Sequence, residues 1–461
     1  MEFRRERDSI GEKNVPKEVY YGVQSLRAYE NFRISGLEVN ENFVKDLALV
    51  KKACAIANLE SNELDGEIGK AIIKACNEIC DGKLIDQFIT DPIQGGAGTS
   101  MNMNINEIIA NRANEILGYE KGNTFPVHPN DHVNMGQSTN DVIPTAASIT
   151  AYKLLDKCIE EVDRLEKALT KKSIEFDSII KMGRTEMQDA VPITLGSEFG
   201  AFARAIGRDS QRLRVTKKSL EKVNLGGTAI GTGITANERY IENVVPTLRN
   251  LLGYNVYQSE DLIDATQNLD KFSEISSQLK ICASNISKLA GDLILMSSGP
   301  RTGFGEIILP AKQNGSSIMP GKINPVMPEL MKQISYQVIG NDVTITLAVQ
   351  SGQLELNAFF PIIIFNLYQS MSILTNGIKT FIDNCIEGIE ANEKRCNELV
   401  EKSIGVVTAL APVIGYEKSA DIAKKALKTG KYVKEIIREE CEFSQYEIDS
   451  ILNVKNMSKL A

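Results

Sequence analysis

The 461-residue sequence has no apolar run long enough to span a bilayer. Its most apolar stretch, Phe359 to Tyr368, contains Pro361 and Asn366 and passes into polar Gln369 and Ser370, so it reads as a core helix. Met1 to Ile10 is rich in Arg and Glu where an export signal needs an apolar segment, which points to a cytoplasmic protein. Basic excess is missing as well. The formal net charge is -8 and no Lys/Arg cluster is interleaved with aromatics, so neither nucleic acid nor an anionic membrane is an expected partner. There is no low-complexity text, and 43% hydrophobic with 24% charged residues places the chain among folded globular proteins. The eight cysteines are scattered. The closest pair, Cys76 and Cys80, lies on a helical pattern without a nearby histidine, so buried thiols are expected rather than zinc or a disulfide framework.

What is abundant is helical periodicity. Phe272, Ile275, Leu279, Cys282, Ile286, Leu289, Leu293 and Met296 recur three and four residues apart, the pattern of a long helix in a bundle, with a seam that can face another subunit. A second long amphipathic helix is expected from Thr145 to about Ile174. Strand signals are sparse, confined to short pieces near Ser35 to Val39, so the expected class is all-α. The length implies two or three packed regions. Gly- and Pro-containing text falls at Asp91–Thr99, Gly122–Asn134, Gly226–Thr235 and Ser297–Pro328, which read as loops between helices and as the places to look for function.

The last of these loops reads GSSIMPGKINPVMPE from Gly315 to Glu329, an irregular backbone around Ser316, Ser317, Lys322 and Asn324 that could bind an anion; by composition alone it could equally be an ordinary surface turn. Two other blocks are Gly98 to Glu107 (GTSMNMNINE) and His128 to Asn134 (HPNDHVN), the latter followed by Gln137-Ser138-Thr139-Asn140-Asp141. Thr99, Ser138 and Thr139 stand just ahead of helical text, with Pro144 expected in a first helical turn; such residues either cap the helices or present positive N-termini to an anion. His128 and His132 are four apart, a spacing open to metal on a helix, but Pro129 disfavours a helix there and no third ligand is placed, so they are expected to order the loop beneath Ser138.

These three blocks, with Gly183-Arg184-Thr185, Asn224 to Thr228 and Gly352 to Asn357, resemble the aspartase/fumarase superfamily over nearly the whole chain. The resemblance implies an N-terminal helical domain (1–139), a central long-helix bundle (140–394) and a C-terminal helical domain (395–461). It implies a homotetramer whose active sites each draw on three subunits. It also implies β-proton abstraction from a succinyl-type substrate, with charge gathering on a carboxylate as an enediolate that hydroxyl and N–H donors stabilise. Ser316 would be the general base, helped by closure of its loop. Ser317, Thr99, Ser138 and Thr139 would hold the enediolate carboxylate; Lys322, Asn324 and Thr185 would hold the other carboxylate. Asn140 and Met319 would complete the substrate-binding set, and no cofactor or metal is implied.

The informative departure is Glu186. Fumarases place a histidine after Gly-Arg-Thr, and this chain has none there. Hydroxide needs an acid to leave, whereas an α-ammonium already carries its proton, so the loss harms a hydratase more than an ammonia-lyase. An ionised Glu186 could accept hydrogen bonds from a substrate ammonium and would repel malate's carboxylate; alternatively it is a solvated helix-end charge. Tyr21 to Phe32 and Asp261 to Thr266 also resemble the ammonia-eliminating branch. The expected reaction is removal of ammonia from L-aspartate to give fumarate, with fumarate hydration or a non-catalytic scaffold as alternatives.

Overall fold

The seam read from Phe272 to Met296 builds helix α9, Asp270–Met296, in a computed structural model that describes residues 2–452. Its eight seam residues are all 4% exposed or less. Each large aliphatic or aromatic side chain so buried contributes roughly 1.5–3 kcal/mol. Ahead of α9 along the chain come α1 (Val23–Asn31), α2 (Glu41–Glu60), α3 (Gly66–Cys80), α4 (Thr99–Ile116), α5 (Thr139–Glu175), α6 (Leu195–Lys217), α7 (Glu238–Leu252) and α8 (Leu262–Gln267). After it come α10 (Val326–Gln350), α11 (Phe360–Asn384), α12 (Glu393–Lys402) and four further helices, α13 to α16, between Ala411 and Ile451. The all-α expectation holds: among the described residues every sheet has two strands. The Phe359 to Tyr368 stretch opens α11, with Phe360, Ile363, Ile364, Leu367 and Tyr368 buried. Among the described residues no helix is long and apolar enough to cross a membrane.

Helix α5 starts six residues before the expected Thr145, so Pro144 lies beyond its first turn rather than in it. A proline there cannot donate to the carbonyl four residues back, which is that of Asn140. Asn224 Nδ2 donates to this carbonyl at 2.9 Å, so a residue of a distant loop supplies the missing hydrogen bond.

Strands occur elsewhere than expected. Ser35–Val39 is irregular: Gly36 takes a φ of 67°, and the Ser35 N–H and hydroxyl donate to Asp91 at 2.8 and 2.9 Å instead of to a strand. Two antiparallel hairpins form instead, β1 (Phe3–Arg7) with β2 (Glu12–Pro16) and β3 (Ile180–Thr185) with β4 (Gln188–Thr194). The first is made of charged text without apolar alternation, which is why periodicity does not reveal it. It is stabilised by the Arg4 guanidinium, which donates to the carbonyls of Pro16, Lys17, Val19 and Tyr21.

The contacts divide the chain into two units. The first comprises the residues up to Ile159, Arg212–Ile281 and Gln337–Ile373. In it α2 packs on α3 and α7, and α4 packs on α1 and α3. The second comprises Glu160–Gln211, Cys282–Tyr336 and the chain from Leu374. There the β3–β4 hairpin packs against α12 and the 3-10 turn Ile404–Leu410, over a core that includes Ile180, Met182, Leu410, Ile422 and Ile436.

Candidate active site

The predicted residues fall into two clusters, one in each unit. In the first unit, Gly96, Ala97 and Gly98 take left-handed backbone (φ 86°, 59° and 93°) and turn the chain into α4. A Cβ on Gly98 would stand 3.2 Å from the Ile143 side chain, so glycine suits both the conformation and the space. Thr99 is the first residue of α4 and does not cap it: its hydroxyl donates to the Gly96 carbonyl at 2.8 Å, and Gly98 has no side chain to cap with. Ser138 does cap α5, its Oγ accepting from Asn140 N at 3.2 Å. Thr139 is buried, and its Oγ1 accepts from Asn102 Nδ2 at 3.2 Å. Asn140 donates to the Ala229 carbonyl at 2.7 Å. Of these four, Thr99 alone lines the cavity of about 510 Å³ that also involves Ser100, Arg27, Asn31 and His128.

Below this cluster lies a buried polar network that sequence reasoning missed. Lys51 Nζ donates to Asn134 Oδ1 and Gln137 Oε1, both at 2.9 Å, and Asn102 and Asn106 donate to the same Asn134 oxygen at 3.1 and 3.2 Å. Asp141 accepts from the N–H groups of Ser138, Thr228 and Gly226 at 2.9, 3.0 and 3.2 Å, which joins the loop 226–235 to the start of α5. Burial pushes Asp141 up to about 6 despite those donors. The available signal was the position of Lys51, which continues the buried stripe of Leu47 and Cys54 on α2.

Burial pulls Lys51 down from 10.5 to about 8. An unfolded lysine keeps its proton to the higher pH, so across that window the unfolded state binds more protons and the fold gains stability as pH rises. The thermal midpoint of the wild type should therefore improve relative to Lys51→Met between pH 8 and 10, toward a full gain on the order of 3 kcal/mol. Parallel pH curves for the two proteins would rule out a lowered Lys51 pKa in the fold.

The histidines do order the loop. His132 Nδ1 accepts from His128 N at 2.8 Å, and His128 Nδ1 accepts from Asn130 N and Asp131 N at 3.2 and 3.1 Å. A short π-helical turn, Pro129–Val133, does form there, contrary to expectation. The proline restricts only the residue before it, and His128 is an extended N-cap, so Pro129 occupies a first helical position that needs no N–H donor.

In the second unit, Thr185 and Glu186 sit at the tip of the β3–β4 hairpin, so Glu186 is not a helix-end charge. Glu186 and Met187 form a two-residue turn, both left-handed (φ 53° and 64°), where glycine or asparagine is the usual choice. Thr185 and Glu186 are exposed. The Ser316 loop closes on itself: Gly315 N donates to the Lys322 carbonyl and Asn324 Nδ2 to the Gly315 carbonyl, each at 2.8 Å. A Cβ on Gly315 would stand 2.5 Å from the Lys322 oxygen, so glycine is required there. Ser316 Oγ accepts from Ile318 N at 3.2 Å and Met319 N at 3.0 Å. Ser317, Met319 and Lys322 are exposed, and Lys322 and Glu186 have no ion-pair partner among the described residues. Thr99 and Ser138–Asn140 thus stand at the starts of two helices of the first unit, linked through the Asn102–Thr139 hydrogen bond, while Ser316–Asn324 close one loop of the second.

Residues 11–340 match a protein family described as lyase, and residues 406–459 match the fumarase C C-terminus. The chain belongs to the aspartase/fumarase superfamily of lyases. It is similar over 99% of its length to proteins named aspartate ammonia-lyase: 53% identical to that of Bacillus subtilis, covering 96% of it, and 46% identical to one from Helicobacter pylori, covering 98%. Among solved structures, a Brucella melitensis protein described as fumarate lyase:delta crystallin bound to cobalt superposes with a TM-score of 0.96 at 46% identity, with 100% of both chains covered. A class II fumarase from Schistosoma mansoni superposes with a TM-score of 0.95 at 33% identity, with 99% of each covered.

Proposed function

We propose that the chain converts L-aspartate reversibly to fumarate and ammonia. The observation that carries this reading is its likeness, along nearly its entire length, to proteins named aspartate ammonia-lyase, of which the Bacillus subtilis protein is 53% identical. Ser316, as the general base, takes the β-proton of aspartate. The electron pair left behind spreads into the adjacent carboxylate as an enediolate, then forms the double bond as the C–N pair leaves with nitrogen as neutral ammonia. A serine is a poor base unless its alkoxide is stabilised. The two N–H groups on Ser316 Oγ, from Ile318 and Met319, favour that ionised form. Ser317, Thr99, Ser138 and Thr139 hold the enediolate carboxylate, while Lys322, Asn324 and Thr185 hold the other, with Asn140 and Met319 beside the substrate.

Glu186 receives the substrate ammonium. Exchanging its charge-assisted hydrogen bond for a neutral one should cost about 1–1.5 kcal/mol, so Glu186→Gln is expected to lower kcat/KM for aspartate about tenfold. Unchanged kcat and KM would remove this role. The test of the reaction itself is to follow fumarate by ultraviolet absorbance, and ammonia in parallel, with L-aspartate and separately with L-malate. Equal fumarate and ammonia from aspartate alone is the expected result. Fumarate from malate would make the chain a hydratase, and silence with both would point to an unusual substrate or a scaffold.

The active form is a homotetramer in the cytoplasm, each site assembled from segments of three chains. The eight cysteines carry thiols rather than disulfides, in keeping with a reducing compartment. Along α10, Tyr336, Val343 and Leu347 are 57%, 56% and 55% exposed at seven- and four-residue spacing, an apolar stripe suited to a neighbouring helix. Dilution to monomers should abolish turnover, and full activity in a monomeric preparation would exclude a shared site.

A further inference from the structure

Behind the hairpin tip lies a set of four charges, of which Lys181 and Glu306 are buried and Arg184 and Glu198 half-buried. Lys181 Nζ donates to Glu198 Oε2 at 2.7 Å and stands 3.2 Å from Glu306 Oε2. Arg184 Nη1 donates to Glu306 Oε1 at 2.8 Å, and the guanidinium lies over the Phe304 ring, 4.2 Å from its centre. Two cations thus face two anions, and Glu306 is fully buried. Its backbone is fixed on both sides: its N–H donates to the Met296 carbonyl at 2.8 Å, and its carbonyl accepts from Asn392 N at 2.9 Å. Glu306 is therefore a rigid post, set by the end of α9 and the start of α12.

Arg184 directly precedes Thr185 and Glu186. The chain around it is not at ease. The ladder shifts register between Met182 and Arg184, and a Cβ on Gly183 would stand 2.6 Å from the Val191 carbonyl oxygen. Beyond it, Glu186 and Met187 hold left-handed backbone that residues with side chains adopt only at a cost in energy. Such a tip needs something outside itself to fix where it points: Glu306 supplies it to Arg184 on β3, as Ser403 Oγ, donating to Asp189 Oδ2 at 2.7 Å, supplies it on β4. Stability alone does not call for this arrangement, because a buried ion cluster is often no more stable than apolar residues of the same volume.

We infer that Glu306 is a positioning residue for the reaction: by holding Arg184 it sets the direction in which Thr185 and Glu186 meet the substrate's carboxylate and ammonium. This rests on the reading of Thr185 and Glu186 as substrate contacts. Loss of the post weakens binding of aspartate in ground state and transition state alike, so KM rises while kcat is largely kept.

The experiment is steady-state kinetics with L-aspartate, alongside thermal midpoints, on four variants. Glu306→Met removes the acceptor and should raise KM about tenfold, less than a full 1 Å misplacement can cost. Glu306→Gln keeps an acceptor for Arg184 and should recover most of that loss. Glu306→Met with Lys181→Met restores the balance of charge, so it should regain the thermal midpoint yet keep the raised KM. This double variant also carries the test if the single one fails to fold. Thr185→Val probes the contact directly. A KM for Glu306→Met within about twofold of wild type, beside a raised KM for Thr185→Val, would overturn the inference and leave the hairpin reading standing. Recovery of KM together with stability in the double variant would reduce Glu306 to a structural role. An unaltered KM in Thr185→Val would overturn both readings.

Discussion

Ser316→Ala is expected to lower kcat for aspartate by about 10³-fold, in the middle of the range for loss of a positioned general base, with KM changed little. That factor corresponds to about 4 kcal/mol of transition-state stabilisation. The hydroxyl is the acceptor for two backbone N–H groups, from Ile318 and Met319, in a loop whose closure depends on other atoms: Gly315 N on the Lys322 carbonyl and Asn324 Nδ2 on the Gly315 carbonyl. Alanine therefore removes the base and leaves the loop's own fastening in place. The two released N–H groups sit in an exposed loop where water can take them, so the thermal midpoint should shift little. A kcat within about threefold of wild type would exclude Ser316 as the base, since even weak general-base catalysis exceeds that factor.

Lys322→Met is expected to raise KM for aspartate by about 10- to 150-fold, the equivalent of losing one hydrogen bond to a charged group. Lys322 is exposed and without a carboxylate partner among the described residues, which leaves its ammonium available to an incoming anion. For the same reason its removal orphans no protein charge, and stability should stay within about 0.5 kcal/mol of wild type. Lys322→Arg keeps the charge but replaces a compact point donor by a planar fork, so it should restore only part of the affinity. If Lys322→Met binds aspartate as well as wild type, the substrate's second carboxylate is held elsewhere.

The two halves of the candidate site were not equally legible. The Ser316 loop could be read because its glycines, prolines and polar residues act within a dozen positions, and the structure closes it with bonds inside that span. Thr99, Ser138 and Thr139 could be placed at helix starts, but their individual roles could not be separated. Only Ser138 caps its helix; Thr99 turns its hydroxyl to Gly96, and Thr139 meets Asn102 from another helix. Of the alternative for Glu186, a solvated helix-end charge, the helix end failed because its neighbours form a hairpin with no apolar alternation at the tip, while the solvated part stands, since Glu186 is exposed. Lys51 and Glu306 drew no notice: Glu306 resembles any loop glutamate, and Lys51 was marked only by continuing the stripe of Leu47 and Cys54.

The sequence by itself determined that the chain is all-helical, where its longest helices run, and which loop carries the residues expected to do the chemistry. Helical periodicity and turn chemistry are local, so they are written into neighbouring residues. Tertiary structure alone decided which charges would be buried and what they would hold. Lys51 meets Asn134 and Gln137, Asn224 completes the hydrogen bonding that Pro144 breaks, and Glu306 meets Arg184 across more than a hundred residues of chain. The cost of burying a polar group depends on whichever partner the fold brings within reach, and no local pattern records that partner.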